Sequence, residues 1–143
     1  MKRSAELAPL SRDHHQGLFA ALKLRRATAD DRAEARATFL AFWEDGRRHF
    51  AIEEELLLPA LARHVACDHE AIVRVLTEHV DLRRRAQDVT AGDERLEALH
   101  ELGTRLQEHI RHEENVLFAL VEAALADDEL VALGAAITRA EAR

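Results

Sequence analysis

A histidine and a glutamate four residues apart, His49 and Glu53, sit one helical turn from each other and can share one face of a helix. The chain repeats the pair sixty residues later as His109 and Glu113. Each copy lies within a longer echo, His49-Phe50-Ala51-Ile52-Glu53-Glu54 and His109-Ile110-Arg111-His112-Glu113-Glu114. Each is also followed by an apolar run, Leu56-Leu57-Leu58-Pro59 in one and Val116-Leu117-Phe118 in the other. A helix bearing one copy therefore needs a counterpart bearing the other, with both pairs turned inward as halves of one metal site.

The periodicity around the pairs supports that placement. Phe39, Phe42, Gly46, His49, Glu53, Leu56 and Ala60 alternate steps of three and four within a helix expected over about 30 to 64. Leu99, Leu102, Leu106, His109, Glu113, Val116 and Leu120 do the same within one over about 93 to 126. Histidine and glutamate occupy seam positions where leucine is expected. Pro59 should kink or interrupt the first of these helices near its end.

Between them Asp68 is the cap candidate for a helix of about 69 to 90, closed by Gly92, with Ile72, Val75, His79, Leu82, Ala86 and Val89 as its stripe. A lone histidine again replaces an apolar residue. At the start, residues 1 to 10 read as an arm leading to Ser11 as N-cap. A helix of about 12 to 27 follows, and Leu18, Phe19 and Leu22 define its buried face. That phase selects His15, three, four and seven residues before those side chains, and leaves His14 as the alternative. A last short helix, about 128 to 141, presents Leu130, Leu133 and Ile137.

These elements predict an all-α chain: an up-down four-helix bundle at about 11 to 126 with an additional short C-terminal helix, all in a single domain over 1 to 143. With 5 Gly, 2 Pro and few aromatics, turn signals for a sheet are scarce. The net charge of −7 argues against a nucleic-acid or anionic-membrane partner, because the arginines at 25-26, 47-48 and 83-85 are interleaved with acids. No apolar run of membrane-spanning or signal length is present, and the single Cys67 excludes an internal disulfide, so a cytoplasmic location is expected. Trp43 and Ala124, apolar and off the seams, suggest a homodimer face.

Helix centres meeting at one level bring together His15, His49, Glu53, His79, His109 and Glu113. Buried carboxylates without partners cost several kcal/mol each. Two divalent ions bridged by the carboxylates would remove that cost, and imidazole with carboxylate suits iron, manganese, cobalt or zinc. Asp13, Glu54, Glu78, His112 and Glu114 are the outer candidates that could orient ligand imidazoles. The trio His64, Cys67 and His69 straddles a helix break and lacks a fourth ligand for zinc.

Asp13-His14-His15-Gln16-Gly17-Leu18-Phe19, His49-Phe50 with Glu53-Glu54, Glu78-His79, and His109-Ile110 with Glu113-Glu114 resemble the four helix motifs of the hemerythrin-like, histidine-histidine-glutamate cation-binding domains. The resemblance covers about 11 to 121. It implies a four-helix bundle around a non-haem centre of two iron ions, with zinc or manganese as substitutes, binding O2, NO or peroxide for sensing, storage or redox response. A di-iron enzyme acting on peroxide or nitric oxide, and a metal-free interaction module, are the alternatives. Oxygen-carrying members have a further histidine where this chain has Val75, and they place the last carboxylate at the position of Glu114; the internal repeat favours Glu113.

Overall fold

The computed structural model describes residues 3–143, and every regular element among them is helical. Five helices follow in order. α1 is Ala8–Arg25. α2 spans 32–61, α3 is Glu70–Thr90, α4 spans 96–124 and α5 is Asp127–Glu141. α1 packs chiefly on α4 and α2, while α3 packs on the same two helices. α5 lies against the second half of α2.

α2 and α4 are not uniform. Each contains one π-helical turn, Glu53–Leu57 in α2 and Glu113–Leu117 in α4, flanked by ordinary α-helix. The Leu58 N–H bonds to the Glu53 carbonyl, and the Phe118 N–H bonds to the Glu113 carbonyl, five residues back in both cases. One extra residue per turn shifts the buried stripe. Beyond the glutamates Leu57 and Leu61 are fully covered in place of Leu56 and Ala60. In α4 Leu117 and Val121 are fully covered, whereas Val116 is exposed.

Pro59 does not interrupt α2, which continues through it to Leu61. Nor does it explain the π-turn, because Ala119 occupies the matching place in α4 and the same turn forms there. Such insertions concentrate at functional sites.

α1 starts earlier than the sequence suggests, with Pro9 in its first turn, where a missing N–H costs nothing. Its buried face is Leu10, His14, Gly17, Ala20, Ala21 and Leu24; Phe19 and Leu22 point outward. Small residues define the inner face because the helices approach closely. A Cβ on Gly17 would stand 2.7 Å from Ile110 Cδ1, and one on Gly103 would stand 2.7 Å from the Ala21 carbonyl. At the turn after α3, Gly92 adopts φ +117°, which favours glycine. Its other end is capped by His69, whose Nδ1 accepts from the Ala71 N–H, and not by Asp68.

Two apolar clusters lie along the helices. One gathers Leu7, Leu10, Leu57, Leu61, Ile72, Val75, Leu117, Phe118 and Val121 with the α5 residues Leu130, Leu133 and Ile137. The other gathers Leu24, Phe39, Phe50, Leu82, Val89, Leu99, Leu102, Leu106 and Ile110. Each fully buried leucine contributes about 1.5–3 kcal/mol relative to exposure. Trp43 belongs to the second cluster's edge, stacked on Phe39 at 5.8 Å and edge-on to Phe50 at 5.3 Å.

Candidate metal centre

Four imidazoles and two carboxylates, one histidine from each of α1 to α4 and a glutamate from each of α2 and α4, converge in the interior: His14, His49, Glu53, His79, His109 and Glu113, all buried. They form two groups. Donor atoms of His14, His49, Glu53 and Glu113 lie within 4.8 Å of one another, and so do those of Glu53, His79, His109 and Glu113. His15, taken from the sequence as the first-helix member, is exposed and outside both groups. His14 stands in its place, because the buried face of α1 follows its small residues and not Phe19 and Leu22.

Both glutamates face both groups. Glu53 directs Oε2 to His49 Nε2 at 3.0 Å and Oε1 to His79 Nε2 at 3.1 Å. Glu113 directs Oε1 to His14 Nε2 at 2.9 Å and Oε2 to His109 Nε2 at 3.2 Å. Each carboxylate thus offers one oxygen to each half. The Nε2 atoms of His49, His79 and His109, both oxygens of Glu53 and Oε2 of Glu113 are buried without a hydrogen-bond partner. Six inward-facing donor atoms that lack hydrogen-bond geometry to one another fit cations, which can satisfy all of them at once.

The far side of every ring is held by an acid, and the four bonds close a circuit around the helices. His49 Nδ1 donates to Asp13 of α1 at 3.0 Å, and His79 Nδ1 to Glu54 of α2 at 2.7 Å. His109 Nδ1 donates to Glu78 of α3 at 2.8 Å, and His14 Nδ1 to Glu114 of α4 at 3.0 Å. Each acid adjoins one central residue in sequence and orients the histidine of a neighbouring helix. A proton fixed on Nδ1 leaves the Nε2 lone pair for coordination. Glu114 therefore belongs to the outer circuit and Glu113 to the centre.

Three of the four acids have an outer donor of their own. Arg83 donates to Glu54 at 3.1 Å and Arg74 to Glu78 at 2.9 Å, while the Ser11 hydroxyl donates to Glu114 at 2.9 Å. Ser11, expected to cap α1, thus serves the site, a role with no local sequence signal. Aromatic rings fix two imidazoles further. Phe50 stacks on His79 at 3.9 Å and 5°, and Phe118 on His14 at 5.3 Å and 8°.

Electrostatics follow from these neighbours. Burial alone lowers an imidazole pKa, yet here the carboxylates outweigh it. His14 is raised by Glu113 and Glu114, His79 by Glu113 and Glu53, and His49 stands well above its ordinary value beside Glu53 and Asp13. His109, buried against Glu113 and Glu78, is pushed up to about 10. Burial likewise works against the Glu113 carboxylate, but the charge of His109 and contacts with His14 and His49 hold it well below the usual range. Without metal, protons on the imidazoles neutralise the carboxylates; a metal must displace them.

His112 stays apart. It is buried with neither ring nitrogen partnered, at the place that Ile52 takes in the first repeat, and burial depresses its pKa. His64 pairs with Glu129 at 2.8 Å and Cys67 is exposed, so the trio with His69 is not assembled.

A model described as the hemerythrin HHE cation-binding domain matches residues 8–121. The chain belongs to that family. No curated protein and no solved structure matches it. The match ends at residue 121, ahead of α5, which packs against α2. No helix among the described residues is long and apolar enough to cross a membrane.

On one flank of the hemerythrin site a cavity of about 410 Å³ opens between α1, α2 and α4. Phe19, Phe42, Phe50, Leu106 and Ile110 wall it, and the edges of His14, His49 and His109 reach it together with Asp13. Phe42 can occupy this seam because Gly46 has no side chain; a Cβ there would stand 3.0 Å from its ring.

Proposed function

We propose that the protein is a non-haem di-iron protein that binds dioxygen or a related small ligand, such as nitric oxide or peroxide, for sensing, storage or redox response. The observation that carries this reading is the pair of carboxylates that each present one oxygen to either half of the cluster. His14 and His49 would hold one ion and His79 and His109 the other, with Glu53 and Glu113 facing both. The long helices α1 to α4 form an up-down bundle around this layer, and α5 is an addition to it. Iron supplies reversible redox and ligand-binding chemistry; zinc or manganese fit the same donors.

Two imidazoles and two carboxylate oxygens would face each ion, and the cavity beside His14, His49 and His109 would give small ligands a path to the site. A second reading, turnover of peroxide or nitric oxide, draws on Val75. It is fully buried among apolar side chains where an oxygen-carrying hemerythrin has another histidine. Fewer protein ligands leave more room for exchangeable ones.

Iron content and oxygen cycling of the purified protein test both readings. Anaerobic loading with ferrous iron should give about two ions per chain, and the optical spectrum should change on oxygen addition and return on removal. Iron well below one per chain after loading, with no effect of chelation on melting, overturns the metal reading. Steady consumption of peroxide or nitric oxide, without recovery of the starting spectrum in oxygen cycles, replaces binding by turnover.

A further inference from the structure

The cavity beside the centre is larger than the ligands named above require. Dioxygen, nitric oxide or peroxide needs little more room than a water molecule, about 30 Å³. The space between α1, α2 and α4 holds about 410 Å³, within the range of sites that enclose small organic molecules. Gly17 and Gly46 leave the Phe42 ring room in its wall; a Cβ on them would stand 3.3 and 3.0 Å from that ring.

The lining selects one sign of charge. Asp13 and Asp45 are its acids, and neither lysine nor arginine contributes to it. The imidazoles of His14, His49 and His109 each lie between two carboxylates, with Asp13 as one of the two at His49. Asp45 is left over. It is exposed on α2 with no basic partner among the described residues, although the adjacent Glu44 pairs with Arg47 at 3.3 Å. Phe19, Phe42 and Phe50 add three aromatic rings, whose faces attract a cation and not an anion. Phe19 shows that preference, since the Lys23 ammonium lies 5.7 Å from its centroid, while Lys23 itself is tied to Glu34 away from the cavity.

We propose that this cavity is a binding site for a small organic cation, an ammonium group on a body of about one aromatic ring, with the body among Phe19, Phe42, Leu106 and Ile110 and the charge toward Asp45. Asp45 precedes His49 by one helical turn, about 6 Å along the axis. The charge is thereby kept from the metal-facing end, where divalent ions would repel it. An occupant lies between solvent and the edges of His14, His49 and His109, so it also closes the path of small ligands to the centre. That consequence rests on the di-iron reading above; the binding itself does not.

The test titrates the metal-free, full-length chain with three phenyl compounds while the methyl resonances of Leu106 and Ile110 are followed by NMR. The compounds are benzyltrimethylammonium, which has no lone pair to offer a metal, neutral benzyl alcohol and anionic phenylacetate. The cation should bind with a dissociation constant of about 1 mM or below, and phenylacetate roughly tenfold more weakly or worse. Asp45→Asn should weaken the cation roughly fivefold and leave benzyl alcohol within about twofold. Ala41→Trp, which fills the cavity from an exposed position, should weaken the cation at least roughly tenfold. No shift with the cation overturns the proposal, as does phenylacetate binding as tightly as the cation, or a cation affinity unchanged in either variant. In the metal-loaded protein, saturation with the cation should slow azide binding several-fold; an unchanged rate overturns closure of the path. Failure of wild type to take up metal counts against the di-iron reading and leaves the titration of the metal-free chain to decide the site.

Discussion

The two halves of the centre have the same donors and different surroundings. His14 with His49, and His79 with His109, each meet one oxygen of Glu53 and one of Glu113. Around them the likeness ends. His79 is sealed under Phe50 at 3.9 Å, and its orienting acid is tied to Arg83. His14 and His49 both edge the cavity, which from the other half only His109 reaches, and the acid behind His49 has no arginine or hydroxyl donor of its own. Repetition of the His–Glu turn copied the inward donors and one orienting acid beside each glutamate; it did not copy the groups that hold those acids. Two metal ions bound here would then differ through access and through the groups that hold the outer acids, Arg83, Arg74 and Ser11, which lie outside the repeat.

The largest expected effect comes from a residue that both halves share. Glu113→Ala should reduce bound metal from about two ions per chain to fewer than one, a loss of a hundredfold or more in affinity on the order of the strongest outer-shell losses. Retention of one full ion by metal analysis would show the halves to be separable. His14→Ala should remove one ion, whereas His15→Ala should keep both, because His15 is exposed. The reverse pattern would restore the phase of α1 expected from its large apolar residues.

Metal removal should lower the melting temperature. At a free metal concentration a hundredfold above the dissociation constant, binding stabilises by about 2.7 kcal/mol, which for a chain of this size is about 8 °C. Scanning calorimetry with and without a chelator measures it, and no shift would mean that the cluster does not bind metal in the folded state.

Opposite pH trends should separate the loaded and stripped proteins. The folded His109 pKa, about 10, lies above that of an unfolded histidine. Its contribution to the metal-free fold is therefore complete below about pH 6.5 and is lost as pH rises toward 10. Metal affinity runs the other way, rising as protons leave the imidazoles. Denaturation and cobalt titrations between pH 6 and 9 check both signs; parallel trends would contradict imidazole ligation.

The smallest effect addresses access alone. Gly46→Ala places a Cβ about 3.0 Å from the Phe42 ring, which must shift within the cavity. Metal content should stay unchanged while azide binding to the loaded protein slows at least about fivefold, as expected for an overpacked seam that costs about 1 kcal/mol or more. An unchanged rate would place the ligand path elsewhere.

The sequence determined the helices, the inward phase of His49, Glu53, His79, His109 and Glu113, and the pairing of the two halves, because spacing on one helix face is a local property. Resemblance at the four motifs also marked the family correctly. Three things were decided only in the folded molecule. The inner face of α1, and with it His14 over His15, depends on how closely α4 approaches, and close approach selects Gly17, Ala20 and Ala21 over larger side chains. The π-turns after Glu53 and Glu113 arise without any residue they have in common at the position of Pro59, and they move the buried stripe by one. The outer circuit joins residues from different helices, such as Ser11 and Glu114, which lie more than a hundred residues apart in the chain. Local periodicity carries no information about such pairs; only packing brings them together.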